Sequence, residues 1–251
     1  MIAPGKSHQK SLNDAVKPQL FDNLSEGSLQ KLLSHSVIQE HPAHKLLVTQ
    51  GEAPQGLYLV IEGNIKTFRL GEDGSEATMR MLGAGDTCME AVLFMGGASP
   101  IAVQTLSACK LMMIPDRVVK AHVMEDAQFS MNIIRIVTRH YKNAMHQIDA
   151  MNIKSPLQRV GYYFLTKHLE AGHDNLEFTL PFKKQTIANY LGMTPETFSR
   201  SLKQMKEMGI VIDDEHIKMK DAFSLCHFCD SDTASLCDRH SSSACGECPL
   251  N

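Results

Sequence analysis

The stretch KKQTIANYLGMTPETFSRSLKQMKEMGIV, from Lys183 to Val211, leaves few folds open. A helical period ends at Tyr190 and Leu191, and Gly192 follows at the point where the chain must turn sharply. Thr194 is a natural N-cap, and Pro195 suits the first position of a new helix. Ile187, Leu191, Phe198 and Leu202 supply a shared core, with the small Ala188 where two helices must cross closely. This is the pattern of a helix-turn-helix, whose second helix enters the major groove and presents its early residues to base edges. Those residues are Glu196, Thr197, Ser199 and Arg200, with Lys203 one turn on. Glutamate can accept from cytosine N4, and arginine can grip guanine O6 and N7 together. Lys183, Lys184, Gln185 and Thr186 open the supporting helix, where phosphate contacts belong.

Charge is distributed to match. The whole chain carries −3, yet Lys183 to Lys206 holds five basic residues and one acidic one. A local basic stripe on an acidic body suits a protein that offers one face to phosphate.

Upstream the chain changes character twice. Residues 1–20 are polar and aperiodic and read as a flexible arm. SEGSLQKLLSHS reads as a short helix capped by Ser25, with Leu29, Leu32 and Leu33 inward. From Val37 to Ile114 short apolar runs alternate with Gly, Pro and Asp: KLLVTQ, GLYLVIEG, NIKTFRL, EATMRML, PIAVQTL and CKLMMI. About eight short strands at this spacing predict an antiparallel barrel or sandwich over residues 21–115. Residues 116–151 then contain neither Gly nor Pro. Phe129, Ile133, Ile136, His140, Ala144, Ile148 and Met151 form one stripe of a long helix, expected over 116–153. The striped part, roughly 25 residues or about 38 Å at 1.5 Å per residue, outgrows a small barrel, which points to dimerisation, with packing within the chain as the alternative. KSPLQRV restarts the chain, with Ser155 as cap and Pro156 at the first position. A strand EFTL, the two helices above and a hairpin GIVIDDEHIKMK complete a small second domain over 154–222.

The tail, 223–251, holds five of the seven cysteines: Cys226, Cys229, Cys237, Cys245 and Cys248, spaced C-x2-C-x7-C-x7-C-x2-C. The first residues lack the apolar core of a signal peptide and no apolar run could span a bilayer, so a cytoplasmic protein without a membrane partner is expected. In a reducing compartment such thiols suggest metal ligands or redox groups rather than disulfides. Their softness suits zinc or an iron–sulfur cluster, and thiol oxidation is the remaining reading. No phosphate loop, nucleophile triad or carboxylate pair stands out, so no enzyme and no catalytic residue is expected.

Barrel, long helix and winged helix-turn-helix in this order resemble the Crp/Fnr family of bacterial transcription regulators, over roughly residues 20–222. NYLGMTPETFSR is similar to the recognition helix of its Fnr and Dnr branches, whose E-x-x-S-R is carried here by Glu196, Ser199 and Arg200. The resemblance implies an α+β fold: an N-terminal cyclic-nucleotide-binding-like antiparallel β-barrel as sensor domain, a dimerisation helix and a C-terminal winged helix-turn-helix. It further implies a homodimer on double-stranded DNA, inverted repeats of TTGAT-like half-sites, and RNA polymerase as a partner. Members that bind cyclic AMP carry a G-E-L…R-S-A cassette. Here Glu90 is present, but Pro100 stands at the arginine position and Ile101 follows it, so a phosphate would lack its cation and cyclic AMP is not expected. Haem is an alternative by analogy with the Dnr branch, with Cys88, Met89, His8 and His140 as conceivable axial ligands. The resemblance favours a [4Fe-4S] cluster on the C-terminal cysteines, with Asp149 as a conceivable carboxylate ligand.

Overall fold

The structure, a computed structural model, describes residues 18–172, 175–221 and 223–229. Its contacts divide the chain into two units that meet between Ala144 and Met145.

The first unit is a sandwich of two four-stranded antiparallel sheets, ordered β1-β8-β3-β6 and β2-β7-β4-β5. The strands are β1 (Val37–His41), β2 (Leu46–Val48), β3 (Gly56–Glu62), β4 (Ile65–Leu70), β5 (Glu76–Leu82), β6 (Thr87–Cys88), β7 (Ala102–Thr105) and β8 (Cys109–Pro115). β3 lies between β8 and β6, and a helix covers its outer face, so six successive residues of GLYLVIE are buried rather than every second one. That covering helix is α3 (Asp116–Glu125); α1 (Glu26–His35) packs beside it. Ser25 caps α1 by accepting from the Ser28 N–H at 3.2 Å, as its position in the sequence implies. A further short helix, α2 (Glu90–Met95), interrupts the strands.

Two expected boundaries shift in this unit. The arm is not loose to its end, because Leu20 is fully buried and the Asn132 amide donates to the carbonyls of Leu20 and Asp22 at 3.1 and 2.8 Å. Residues 116–153 are two helices, α3 and α4 (Ala127–Ile153), since Asp126 adopts extended backbone and its carboxylate accepts from the Phe129 N–H at 3.0 Å. An aspartate that can cap the next turn ends the first helix.

The stripe on α4 also divides. Phe129, Ile133 and Ile136 are buried in the sandwich core, so this half of the series packs within its own chain. Ile148 and Met151 of the series are exposed, and Ile148 also ends a second exposed row of Met131, Ile134, Thr138, Tyr141, Met145 and Ile148. Their spacing of 3, 4, 3, 4 and 3 is that of a coiled-coil seam.

The second unit contains α5 (Pro156–Ala171), β9 (Glu177–Thr179), α6 (Lys184–Tyr190), α7 (Pro195–Glu207), β10 (Val211–Asp213) and β11 (His216–Lys218). The three strands form one antiparallel sheet ordered β10-β11-β9. Ser155 and Gln158 make a reciprocal capping box at the start of α5, with Pro156 at its first turn. The domain does not stop at residue 222. Leu225 and Phe228 are buried, and a 3₁₀ turn at Cys226–Phe228 packs on α5.

Candidate nucleic-acid interface

Helices α6 and α7 meet at a turn built as the sequence predicts. Gly192 has φ +62°, in the left-handed region that side chains disfavour. Met193 N–H donates to the Ala188 carbonyl at 3.0 Å, and the Thr194 hydroxyl accepts from Thr197 N–H at 3.3 Å. Ile187 and Ala188 are fully buried, and Leu191, Phe198 and Leu202 close the shared core with Met205.

Clamps on this turn come from residues that the sequence reading did not single out. Arg159 of α5 donates from Nη1 to the carbonyls of Leu191 and Gly192 at 2.7 and 3.3 Å. Gln147 donates to the Tyr190 carbonyl at 2.7 Å. The last carbonyls of a short helix need partners, and these two side chains supply them. Neither belongs to the motif, so only spatial proximity identifies them.

On the outer face Glu196, Ser199, Arg200 and Lys203 are exposed, and Thr197 is half-buried. Arg200 rests on the Thr197 hydroxyl through Nη2 at 3.2 Å, which holds the guanidinium over the first turns of α7. The Glu196 carboxyl sits below the usual carboxylate range, held by its own backbone N–H and the Thr194 hydroxyl, with Arg200 nearby. It is therefore ionised at neutral pH and acts only as an acceptor. Gln185 is exposed and Thr186 half-buried at the start of α6. Lys184 reaches Asp214 of the wing at 3.3 Å. The wing tip, Asp213-Asp214-Glu215, is acidic, so among the expected contacts Lys184 meets a carboxylate of its own chain as well as any phosphate.

The sandwich interior holds a second polar group. Glu90 is buried and accepts from the Thr87 hydroxyl, with Arg80 Nη1 at 3.8 Å. Arg80 Nη2 donates to the Thr87 carbonyl at 2.9 Å and to His140 Nε2 at 2.7 Å. Burial, with help from Arg80 and Arg139, pushes His140 down to about 3, so it is a neutral acceptor. Pro100 is exposed and offers no cation.

The conceivable haem ligands that are described are engaged or enclosed. His140 Nε2 accepts from Arg80, and burial, with Glu90 nearby, raises the Cys88 thiol. Met89 is buried, and His8 lies outside the described residues.

Cys226 and Cys229 are half-buried at the two ends of the 3₁₀ turn, whose closing bond runs from Cys229 N–H to the Cys226 carbonyl at 2.9 Å. In such a turn positions i and i+3 face the same side, which suits a pair of thiols to chelation. Cys237, Cys245 and Cys248 lie outside the described residues, and among those described no three His, Cys, Asp or Glu side chains gather as a metal set. Asp149 is exposed on α4. No helix among the described residues is long and apolar enough to cross a membrane.

Known proteins match over the same segments. The cyclic nucleotide-binding domain family matches residues 38–126, and the Crp-like helix-turn-helix domain family matches residues 158–228. The probable transcriptional regulator flp of Lacticaseibacillus casei is 27% identical over 197 residues, covering 78% of this chain and 88% of that protein. The anaerobic regulatory protein of Pasteurella multocida is 27% identical over 209 residues, covering 80% and 76%. Among solved structures, FixK2 from Bradyrhizobium japonicum superposes with a TM-score of 0.70 at 18% identity, covering 78% of this chain and 98% of that one, a likeness of fold.

Proposed function

The chain belongs to the Crp/Fnr family of DNA-binding transcription regulators, and from that membership we propose a two-fold dimer that reads TTGAT-like inverted repeats and senses through its C-terminal thiols. It acts as a regulator and not as an enzyme. The observation that carries the DNA reading is the set of Glu196, Ser199 and Arg200 exposed together on the first turns of a clamped α7. Arg200 takes a guanine, Glu196 a cytosine amine, and Gln185 and Thr186 the neighbouring phosphates. The dimer reading rests on the exposed seam of α4, where Tyr141 is 68% and Ile148 50% exposed, more than solitary surface residues require. RNA polymerase is the partner through which a bound dimer acts.

The sensor reading has two supports. Arg80 in the sandwich is already engaged by Glu90, Thr87 and His140, so a cyclic phosphate would have to displace these contacts without the cation that Pro100 replaces. The tail, in contrast, offers Cys226 and Cys229 as an ordered thiol pair, with three more cysteines following. Four of the five thiols would hold a [4Fe-4S] cluster, whose loss on oxidation supplies a response to oxygen or nitric oxide. The relative named as an anaerobic regulatory protein is consistent with that reading. A structural zinc is the competing occupant, since it takes the same thiolates.

Purification without oxygen tests this, with a visible spectrum and iron, sulfide and zinc assays on one sample. Broad visible absorbance with matched iron and sulfide is expected. Colourless protein with stoichiometric zinc would make the tail structural, and a sharp Soret band would move the sensor into the sandwich.

A further inference from the structure

Gly161 lies inside α5, where glycine is a net disadvantage relative to alanine, and its backbone needs no left-handed conformation. Space is the reason for it. A Cβ there would stand 2.3 Å from ring carbons of Phe228, so the ring seats directly on the helix backbone. Phe228 is one residue before Cys229 and two after Cys226, and Leu225, just before them, is fully buried. The thiol pair is thus fixed to α5 through Phe228, with the buried Leu225 leading into the turn. Helix α5 in turn packs directly on α7.

From this geometry we infer that the thiol pair signals to the recognition helix inside its own domain, through Phe228, the Gly161 notch and α5. This rests on the reading of the tail as a thiol-based sensor. A soft metal ion held by Cys226 and Cys229 stabilises the 3₁₀ turn; the turn holds Phe228 in the notch; and the seated ring restrains α5 and the α7 that packs on it. Release of the ion frees the turn, and α7 opens more often. Coupling of this kind requires the ion to favour the seated state over the open one, which it does if only the closed turn brings both sulfurs to one side.

The probe is cadmium added to the reduced full chain, its binding read by the thiolate-to-metal charge-transfer band and its effect by amide hydrogen exchange. At an ion concentration about ten times Kd, linkage slows exchange about tenfold in every segment that opens together with the site. In the parent protein that slowing should extend from residues 223–229 through α5 to α7. In Gly161→Ala, whose helix is intrinsically better formed, the band should remain while α7 no longer responds. Phe228→Ala, which removes the ring and leaves the notch, should behave likewise. Protection of α7 that is the same in all three proteins, or confined to residues 223–229 in the parent, overturns the inference. A band lost in Cys226→Ser/Cys229→Ser places the ion at this pair. No band in any protein would refute the thiol-sensor reading itself and this inference with it.

Discussion

Gly192 gives the sharpest test of how the helix-turn-helix is built. Its φ of +62° costs an L-residue roughly 1–2 kcal/mol. A Cβ at this position would also stand 3.1 Å from Met151 Cε and 3.4 Å from Arg159 Nη1. The first is the end of a flexible side chain and can withdraw at small cost; the second is the clamp on the turn. Against this, alanine restricts the unfolded chain and returns about 0.4–1 kcal/mol. Gly192→Ala should therefore lose about 1 kcal/mol. Gly192→Asn should lose less, because asparagine tolerates the left-handed region. Gly192→Val should lose about 2 kcal/mol or more, because a β-branched residue there is a true outlier. The assay is urea denaturation followed by tyrosine fluorescence. The chain has no tryptophan, and Tyr162, Tyr163 and Tyr190 all lie in the DNA-binding unit. An alanine variant as stable as the parent, or a valine variant no worse than alanine, would refute backbone conformation as the constraint. At Gly161, where volume is limiting, the order inverts and alanine is tolerated better than asparagine.

Arg200→Ala should cost about 1–3 kcal/mol at one guanine while leaving salt-dependent background binding intact; equal losses on specific and scrambled DNA would show that it contacts phosphate only. Tyr163→Phe should stabilise the second unit by about 1 kcal/mol in the same urea assay, since the Tyr163 hydroxyl is buried without a hydrogen-bond partner. Acid should weaken the first unit as pH falls from 6.5. The folded His140 stays neutral down to about 3, so the unfolded chain takes up the proton first, and up to about 1.4 kcal/mol is lost per pH unit before solvent screening reduces it. His122, lowered chiefly by burial, adds to the same slope. The lowered carboxylates of Glu125 and Asp126 lose their contribution only nearer pH 4, so His140→Gln should flatten the slope between pH 5 and 6.5. Ile148→Glu places a charge in the exposed seam of α4 and should shift sedimentation from dimer to monomer; an unchanged dimer would put the interface elsewhere.

Features that a few neighbouring residues determine were legible in advance. Ser25, Ser155 and Thr194 cap the helices expected of them, because a cap bonds to an amide only three residues on. The strands of the sandwich and the turn at Gly192 follow from local apolar runs and from the one residue that accepts positive φ without strain. The exposed face of α7 was legible for the same reason. Its helix is bounded by Thr194 and Pro195, and residues not needed by the core at Phe198 and Leu202 must point outward.

Tertiary structure alone decided which partner each apolar or polar group would meet. A helical period revealed a stripe on α4, but periodicity cannot say what covers it, and two different faces turn out to be apolar. Arg159 and Gln147 act on a turn more than thirty residues away in sequence. Nothing near Arg80 or His140 in the sequence announces that they pair across sixty residues. Nothing near Gly161 in the sequence announces the Phe228 ring that lies against it. Local sequence fixes backbone conformation because its forces act within one turn. The identity of a long-range partner depends on how the chain closes on itself, which no short window of residues contains.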